Sequence, residues 1–293
     1  MRLSLALLVL VVATGSAAAE GLELPESVVQ DPETGVIYCS NVGGTKATLD
    51  AVVEKDGNGF ISTLKPDGSV DVLRFLPKEG DPALNGPKGM AIVGTILWVT
   101  DIDRVVAYDL DGGKQLSSFS LVDKNVTFAN DLVEVEGALL LTDTAGDQVL
   151  QLSGADRGTI TGVEVIDKGI FGGANGITVD AKGAIYLATY PVGTMPKDGG
   201  MVRRFSFGQS LDQRSKLGFA VGAWDGVAVT ADGTVYASDW TSGGVWKLAP
   251  GGQPEQIASN LKGPADLCLL KDGSALLVPQ MGANVVTPVP LTR

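Results

Sequence analysis

After residue 19 the chain alternates between short apolar runs and clusters of Gly, Asp, Asn and Pro. The stretch WDGVAVTADGTVYASD (residues 224–239) shows the pattern: an apolar run, a TADG turn and a second apolar run. Short apolar runs rich in Val, Ile and Tyr and bounded by turn residues are typical of β-strands joined in hairpins. The pattern therefore predicts an all-β fold.

This hairpin pattern occurs six times, and a further apolar strand often follows. The copies are PESVVQDPETGVIYCS (25–40), PKGMAIVGTILWVTD (87–101), ANDLVEVEGALLLTD (129–143), ANGITVDAKGAIYLAT (174–189), WDGVAVTADGTVYASD (224–239) and PADLCLLKDGSALLVPQ (264–280). Four strands in each repeat of about 40 to 50 residues are typical of β-propellers. The sequence therefore predicts a six-bladed β-propeller with four-stranded blades around a central channel, formed by residues 20–293 as a single domain. An open β-solenoid is the alternative, but its repeats are usually shorter.

Propeller symmetry gives each position of the repeat a similar radius and height in every blade. The first strand of each copy is expected to be the innermost, so the residues at its start should ring one mouth of the channel. We call these residues the inner ring: Glu26, Lys88, Asn130, Asn175, Asp225 and Ala265.

Four inner-ring residues offer oxygen ligands for a metal. Two carboxylates and two amide carbonyls suit a hard divalent cation, Ca²⁺ first, with Mg²⁺, Mn²⁺ or Zn²⁺ as alternatives. We therefore expect Glu26, Asn130, Asn175 and Asp225 to hold one divalent metal. The competing interpretation is that Asn and Asp before Gly are ordinary turn residues, because they tolerate a left-handed backbone.

The second strand of each copy should return to the same face of the propeller. We call its last residues the outer ring: Ser40, Asp101, Asp143, Thr189, Asp239 and Gln280. Asp101, Asp143 and Asp239 are predicted to bind substrate together with Lys88, which would neutralise an oxyanion or a substrate carboxylate. The alternatives are that the aspartates cap turns and that Lys88 pairs with a neighbouring acid. The 43–59 insertion and the 190–200 loop are candidate lid or specificity loops.

Composition narrows the chemistry. The chain has 22 basic and 34 acidic residues, a formal net charge of −12 and no histidine. An acidic chain without a basic run is a poor nucleic-acid binder. The lack of histidine excludes His-based triads and HExxH zinc sites, so hydrolysis would need carboxylates, Lys, Tyr or an oxygen-held metal. Cys39 and Cys268 are expected to be buried thiols, with a disulfide as the alternative.

The first residues have the features of a secretory signal peptide. Arg2 is followed by LALLVLVV and then by Ala17-Ala18-Ala19, an A-x-A site expected to be cut before Glu20. No later run is long and apolar enough to span a bilayer. Residues 1–19 are therefore predicted to be removed, and the mature protein is predicted to be periplasmic or secreted, without membrane attachment.

The inner-ring motifs resemble those of the senescence marker protein/gluconolactonase/luciferin-regenerating enzyme family of six-bladed propellers, and the resemblance covers essentially the whole mature chain. In that family a Glu near the N-terminus, two Asn before strands and an Asp in a PDG setting bind a divalent metal, and the Asp is the proposed general base. The matching segments are PESVVQD at Glu26, FANDLVE at Asn130, GANGITV at Asn175 and AWDGVAV at Asp225. Trp224 replaces the usual Pro, and the usual Gly and Trp beside Glu26 are absent.

The resemblance implies a metal-dependent hydrolase of a small ester, above all a sugar lactone, with Asp225 as the catalytic base. The alternative is a non-enzymatic periplasmic propeller whose structural metal supports binding of a small ligand or a protein partner. A strictosidine-synthase-like propeller is a third alternative, but the Glu, Asn, Asn and Asp set argues against it.

Overall fold

The computed structural model describes residues 21–44, 48, 51–169, 171–191, 200–206, 209 and 215–291. The predicted signal peptide and residues 192–199 of the 190–200 loop lie outside these ranges. The described residues form six antiparallel sheets, one for each copy of the repeat. Their helices are three short 3-10 turns, at Ala51–Val53, Val122–Lys124 and Ala155–Arg157. No helix in the described part of the chain is long and apolar enough to cross a bilayer.

Each sheet is one blade, and its strands are numbered in chain order. Blade 1 contains β1 (Pro25–Gln30), β2 (Ile37–Asn41), β3 (Phe60–Leu64) and β4 (Val70–Leu76). Blade 2 contains β5 (Pro87–Val93), β6 (Ile96–Asp101), β7 (Arg104–Asp109) and β8 (Gln115–Ser120). Blade 3 contains β9 (Ala129–Val135), β10 (Ala138–Asp143), β11 (Gln148–Ser153) and β12 (Gly162–Lys168).

The second half of the ring continues this arrangement. Blade 4 contains β13 (Ala174–Val179), β14 (Ile185–Thr189), β15 (Val202–Phe205) and β16 (Ser215–Lys216). Blade 5 contains β17 (Trp224–Val229), β18 (Val235–Asp239), β19 (Gly244–Leu248) and β20 (Glu255–Ala258). The described residues give blade 6 three strands, β21 (Cys268–Leu269), β22 (Ala275–Gln280) and β23 (Val285–Pro290).

The first strand of each blade is the innermost one. The strands β1, β5, β9, β13, β17 and β21 contact one another in that order, and β21 returns to β1. The predicted six-bladed β-propeller is therefore confirmed. Within the described residues, its sixth blade has three strands and each of the other five has four.

The apolar core is divided among the blade interfaces. Six buried clusters each join two neighbouring blades; Trp98 and Leu141, for example, meet between blades 2 and 3. The cluster that contains Val28 and Leu277 joins blades 1 and 6 and so closes the ring by side-chain packing. Because every blade buries both faces against neighbours, the chain needs no central core, and the axis is free for polar residues.

The two cysteines lie in this closing cluster. Both are free thiols, Cys39 in β2 and Cys268 in β21. Burial raises the pKa of both thiols, that of Cys268 to about 12. The expected pair of thiols is therefore present, although Cys268 is only partly buried as a residue.

Candidate metal centre

A β-bulge at the start of five inner strands positions the inner ring. In blade 4, Ala174 pairs with Thr189 and regular pairing resumes only at Ile177, so Asn175 and Gly176 oppose a single residue. The same irregularity occurs in blades 1, 2, 3 and 5. A bulge breaks the regular alternation of side chains and re-aims them. In these blades, the inner-ring residue and the residue after it therefore do not follow the regular alternation of side chains in a strand.

Hydroxyl groups on the second strands stabilise these bulges. The backbone N–H of Asp131 donates to Thr142 Oγ1 at 2.9 Å, and that of Gly226 donates to Ser238 Oγ at 2.8 Å. Ser238 Oγ in turn donates to the backbone carbonyl of Ala265 in the next blade, at 2.8 Å. The donors that the bulge removes from the strand ladder are thus satisfied, and adjacent blades are held together at the axis.

The inner ring lines one cavity, whose volume is about 380 Å³. Five of its members contribute to the wall: Glu26, Lys88, Asn130, Asn175 and Asp225. The sixth, Ala265, is fully buried in an apolar cluster that also reaches the cavity. The structure thus brings together all four residues predicted to hold a metal, and Lys88 with them.

Three of these four residues carry a buried oxygen without a hydrogen-bond partner. The atoms are Glu26 Oε2, Asn175 Oδ1 and Asp225 Oδ1, and each of the three residues is at least 93 % buried. The fourth residue, Asn130, donates its amide Nδ2 to Thr144 Oγ1 at 2.9 Å. An unpartnered buried acceptor costs about 1–3 kcal/mol. Three of them on one cavity fit a cation that all three could bind.

Charge at the channel axis also favours a cation. Burial raises the pKa of Asp225 to about 8; the charge of Asp266 adds to this shift, and a hydrogen bond from Asn175 opposes it. Burial likewise raises the pKa of Glu26 well above its usual range, and the charge of Asp225 adds to it. A bound divalent cation would reverse both shifts, because it stabilises the ionised carboxylates.

Two further buried acids, Asp131 and Asp266, lie immediately after inner-ring positions and escaped the sequence analysis. Burial raises the pKa of Asp266 to about 7 and that of Asp131 well above its usual range. Asp131 Oδ2 accepts the backbone N–H of Ile177 in blade 4 at 2.7 Å, and Asp266 Oδ2 accepts Ser27 Oγ–H in blade 1 at 2.7 Å. Both side chains therefore link neighbouring blades.

The candidate metal centre needs the amide side chains of Asn130 and Asn175 as ligands. Within the described residues, no three His, Cys, Asp or Glu side chains converge as a metal-binding group. Only two of the four candidate ligands are carboxylates, so a cation would also need the carbonyl oxygens of Asn130 and Asn175. Mixed carboxylate and carbonyl coordination is characteristic of Ca²⁺.

Lys88 is held at the cavity wall by backbone carbonyls. Its Nζ donates to Val52 O at 2.9 Å and to Gly86 O at 3.1 Å, and it lies 4.6 Å from the centre of the Phe128 ring. Burial lowers the pKa of Lys88, while the charges of Glu26 and Asp101 oppose that shift. The ammonium is therefore fixed in place beside the predicted ligands.

The outer-ring aspartates do not join this site. None of Asp101, Asp143 and Asp239 is among the described residues that line the cavity. Each carboxylate instead accepts a backbone N–H from the segment leading into its inner strand; the donors are Gly86, Phe128 and Ala223, at 2.8, 3.0 and 3.2 Å. These hydrogen bonds fit the alternative that the three aspartates cap turns, and their predicted substrate-binding role stays a prediction.

Both candidate specificity loops reach the cavity. Thr48 and Val52 of the 43–59 insertion line it, and so do Tyr190 and Pro191 at the start of the 190–200 loop. The cavity therefore combines a polar floor from the inner strands with a wall contributed by loops.

Comparisons with solved structures identify the class of fold. The chain is similar to a gluconolactonase from Xanthomonas campestris, with a TM-score of 0.65 and 16% identity over 94% of this chain and 88% of that one. It is also similar to a catalytically inactive variant of virginiamycin B lyase from Staphylococcus aureus, with a TM-score of 0.61 and 13% identity over 92% of this chain and 95% of that one. A chain of the nidogen–laminin complex is similar with a TM-score of 0.58 and 16% identity, over 81% of this chain and 80% of that one.

No protein-family model matches the sequence, and the comparison with curated proteins gives no match. At identities this low, the structural likeness establishes a shared propeller fold. The fold is one that a gluconolactonase uses, and the activity of this chain has to be inferred from its own site.

Proposed function

We propose that this protein is a divalent-cation-dependent hydrolase of a small ester, with lactones as the substrate class. The observation that carries the proposal is the set of three unpartnered buried oxygens on Glu26, Asn175 and Asp225, three residues that line one cavity. The structural likeness to a gluconolactonase is consistent with it at the level of the fold.

The residues of the inner ring have separate tasks in this proposal. Glu26, Asn130, Asn175 and Asp225 would hold the cation, with Ca²⁺ as the first candidate. When bound, the cation supplies Lewis-acid polarisation of the ester carbonyl. Asp225 accepts a proton from the attacking water. The fixed ammonium of Lys88 stabilises negative charge that develops on the carbonyl oxygen.

The likeness to virginiamycin B lyase does not extend to its chemistry. The lyase variant with one histidine replaced by alanine is catalytically inactive, and this chain has no histidine. The candidate proton acceptors in this cavity include its two carboxylates, Glu26 and Asp225, which both carry an unpartnered oxygen; the family resemblance assigns the base to Asp225.

The test is lactone hydrolysis by the purified exported protein, followed with a pH indicator in the presence of Ca²⁺, Mg²⁺, Mn²⁺, Zn²⁺ or EDTA. Turnover should require a cation and should be lost in Asp225→Ala. The matched control is Asp232→Asn, an exposed position in the turn at the far end of the same inner strand, which should leave turnover unchanged.

Two results would count against the proposal. If no lactone is hydrolysed but Ca²⁺ raises the melting temperature of the protein and not of Asp225→Ala, the metal is structural and the propeller is a binding protein. If no cation changes either turnover or melting temperature, the metal centre itself is wrong.

A further inference from the structure

On the basis of the proposed hydrolase function, we propose that the cavity selects substrates with an apolar, aromatic or alkyl body and rejects polyhydroxylated sugar lactones, with Phe128 and Trp240 as specificity-determining residues. This inference concerns the part of the substrate that does not react. It can therefore be tested separately from the chemistry.

The cavity wall above the inner ring is largely apolar. Val52, Phe128, Trp240 and Met281 line it, and all four belong to one apolar cluster that includes Ala265. This cluster is separate from the six clusters between blades. It includes Ala265, the blade 6 member of the inner ring, where a small side chain replaces a polar one. One side of the cavity is therefore a continuous apolar surface.

The partly exposed aromatic rings are the part of this surface that a substrate can reach. Phe128 and Trp240 are half-buried, whereas Val52 and Met281 are buried. Tyr190, also half-buried, adds a third ring from the 190–200 loop. Aromatic side chains contribute large apolar contact areas and favour flat ligands through ring packing.

Several polar groups of the described cavity wall already have partners. Lys88 Nζ donates to two backbone carbonyls. Thr144 Oγ1 donates to Ala174 O at 2.8 Å and accepts a hydrogen bond from Asn130 Nδ2 at 2.9 Å. The buried unpartnered atoms on this wall, Glu26 Oε2, Asn175 Oδ1 and Asp225 Oδ1, are acceptors, and in the proposed function they would hold the cation. Within the described residues, the apolar part of the wall therefore offers few hydrogen-bond partners to the hydroxyl groups of a sugar.

This accounting determines the direction of selectivity. A polyhydroxylated lactone would have to bury hydroxyl groups against apolar walls without hydrogen-bond partners. An apolar pocket disfavours a ligand with one added hydroxyl group by about 100-fold, and a sugar lactone carries several, whereas one apolar contact changes the specificity constant by about 10-fold to 200-fold. Rejection of the sugar should therefore be the larger effect, and contact with the aromatic rings the smaller one.

The activity test compares dihydrocoumarin, an aromatic δ-lactone, and δ-decalactone with glucono-δ-lactone. Each kcat/KM is divided by the rate constant for hydrolysis of that lactone by hydroxide, which removes differences in intrinsic reactivity. We expect the corrected kcat/KM for dihydrocoumarin to exceed that for glucono-δ-lactone by about 100-fold or more. Phe128→Ala should lower the dihydrocoumarin value by about 10-fold more than it lowers the sugar value.

A matched control tests whether loss of any aromatic side chain has this effect. Phe75 packs against Tyr38 in the interface between blades 1 and 2, away from the cavity. Phe75→Ala should change both corrected values equally, whereas Phe128→Ala should change their ratio. Trp240→Ala gives a second, independent change of the ratio.

A binding measurement separates this inference from the proposed activity. Dihydrocarbostyril, the lactam counterpart of dihydrocoumarin, and gluconolactam are titrated into the protein by calorimetry, in Ca²⁺ and in EDTA. We expect dihydrocarbostyril to bind more tightly and Phe128→Ala to weaken it about 10-fold. If dihydrocarbostyril binds in this way and no lactone is hydrolysed, the apolar binding site is supported and the proposed hydrolase function is wrong.

The opposite result would be cation-dependent turnover in which glucono-δ-lactone is preferred to dihydrocoumarin and gluconolactam binds more tightly than dihydrocarbostyril. It would overturn the inference and leave the proposed function intact. If neither lactam binds in either condition, the apolar wall does not select ligands and the inference is wrong.

Discussion

The inner and outer rings differ in how their buried acids are partnered. Asp225 and Asp101 occupy repeating positions at strand ends on one face of the propeller, and both are at least 93 % buried. Asp101 accepts backbone N–H groups from Asn85 and Gly86 and pairs with Arg104 at 2.6 Å. Asp225 has an oxygen with no partner. Hydrogen-bond accounting, and not position in the repeat, therefore separates a candidate ligand from a turn cap.

The largest test of this comparison is Asp225→Asn. The substitution keeps the size of the side chain and removes the proton acceptor, so turnover should fall by about 100-fold to 10,000-fold. The measurement is kcat/KM for the best lactone at saturating cation. If Asp225→Asn hydrolyses that lactone at nearly the rate of the unchanged protein, Asp225 is not the base, and the inner ring would have no stronger claim to catalysis than the outer ring.

A substitution in the outer ring should lower the stability of the protein. Asp101→Ala leaves Arg104 unpaired and two backbone N–H groups without an acceptor, so the free energy of unfolding should fall by about 3 kcal/mol. Urea unfolding measures this loss. The rise in melting temperature on adding Ca²⁺ should persist, because Asp101 does not line the cavity. A stable Asp101→Ala protein with a raised KM would instead support the substrate-binding prediction for this residue.

The repeat in the sequence was sufficient to predict the fold and most of the candidate site. Radial symmetry selected Glu26, Asn130, Asn175 and Asp225 from single positions of each repeat, and the structure places them on one cavity. This worked because equivalent positions in a propeller share radius and height, so a site at the axis is visible as one column of an internal alignment.

The two missed acids show the limit of that alignment. Asp131 and Asp266 follow inner-ring residues directly, and regular alternation would turn them away from the axis. The bulge in blade 3 removes that alternation, and no residue type in the sequence marks it. The signal in the sequence was an acid directly after an inner-ring position and before a Leu, in ANDLVEV and PADLCLL. The hydrogen bonds by which Asp101 caps a turn likewise cannot be recognised from the sequence alone.

A smaller effect should appear in the pH dependence of stability. The pKa of Asp225 is raised to about 8 and that of Asp266 to about 7. A carboxyl group with a raised folded pKa stabilises the native state fully below its unfolded pKa of about 4, and this contribution is lost as the pH rises through the folded value. In EDTA, the melting temperature should therefore fall between about pH 5 and pH 8 and level off above that.

A divalent cation should remove this fall, because it stabilises the ionised carboxylates. The chain has no histidine, so few other side chains titrate in this window. Melting curves at several pH values, with EDTA or with Ca²⁺, measure the difference. A melting temperature in EDTA that stays level or rises across this range would show that the axial acids are already ionised and partnered.

The smallest expected effect lies within the outer ring itself. The described hydrogen bonds to Asp239 all reach one oxygen, Oδ1, from the backbone N–H groups of Ala223, Thr241 and Ser242. An amide carbonyl can replace that oxygen, so Asp239→Asn should cost about 1 kcal/mol or less. Asp101→Asn should cost more, because Asp101 uses both oxygens and pairs with Arg104. Urea unfolding of the two variants compares them directly; equal losses would mean that burial, and not the number of accepting oxygens, determines how each aspartate stabilises its blade.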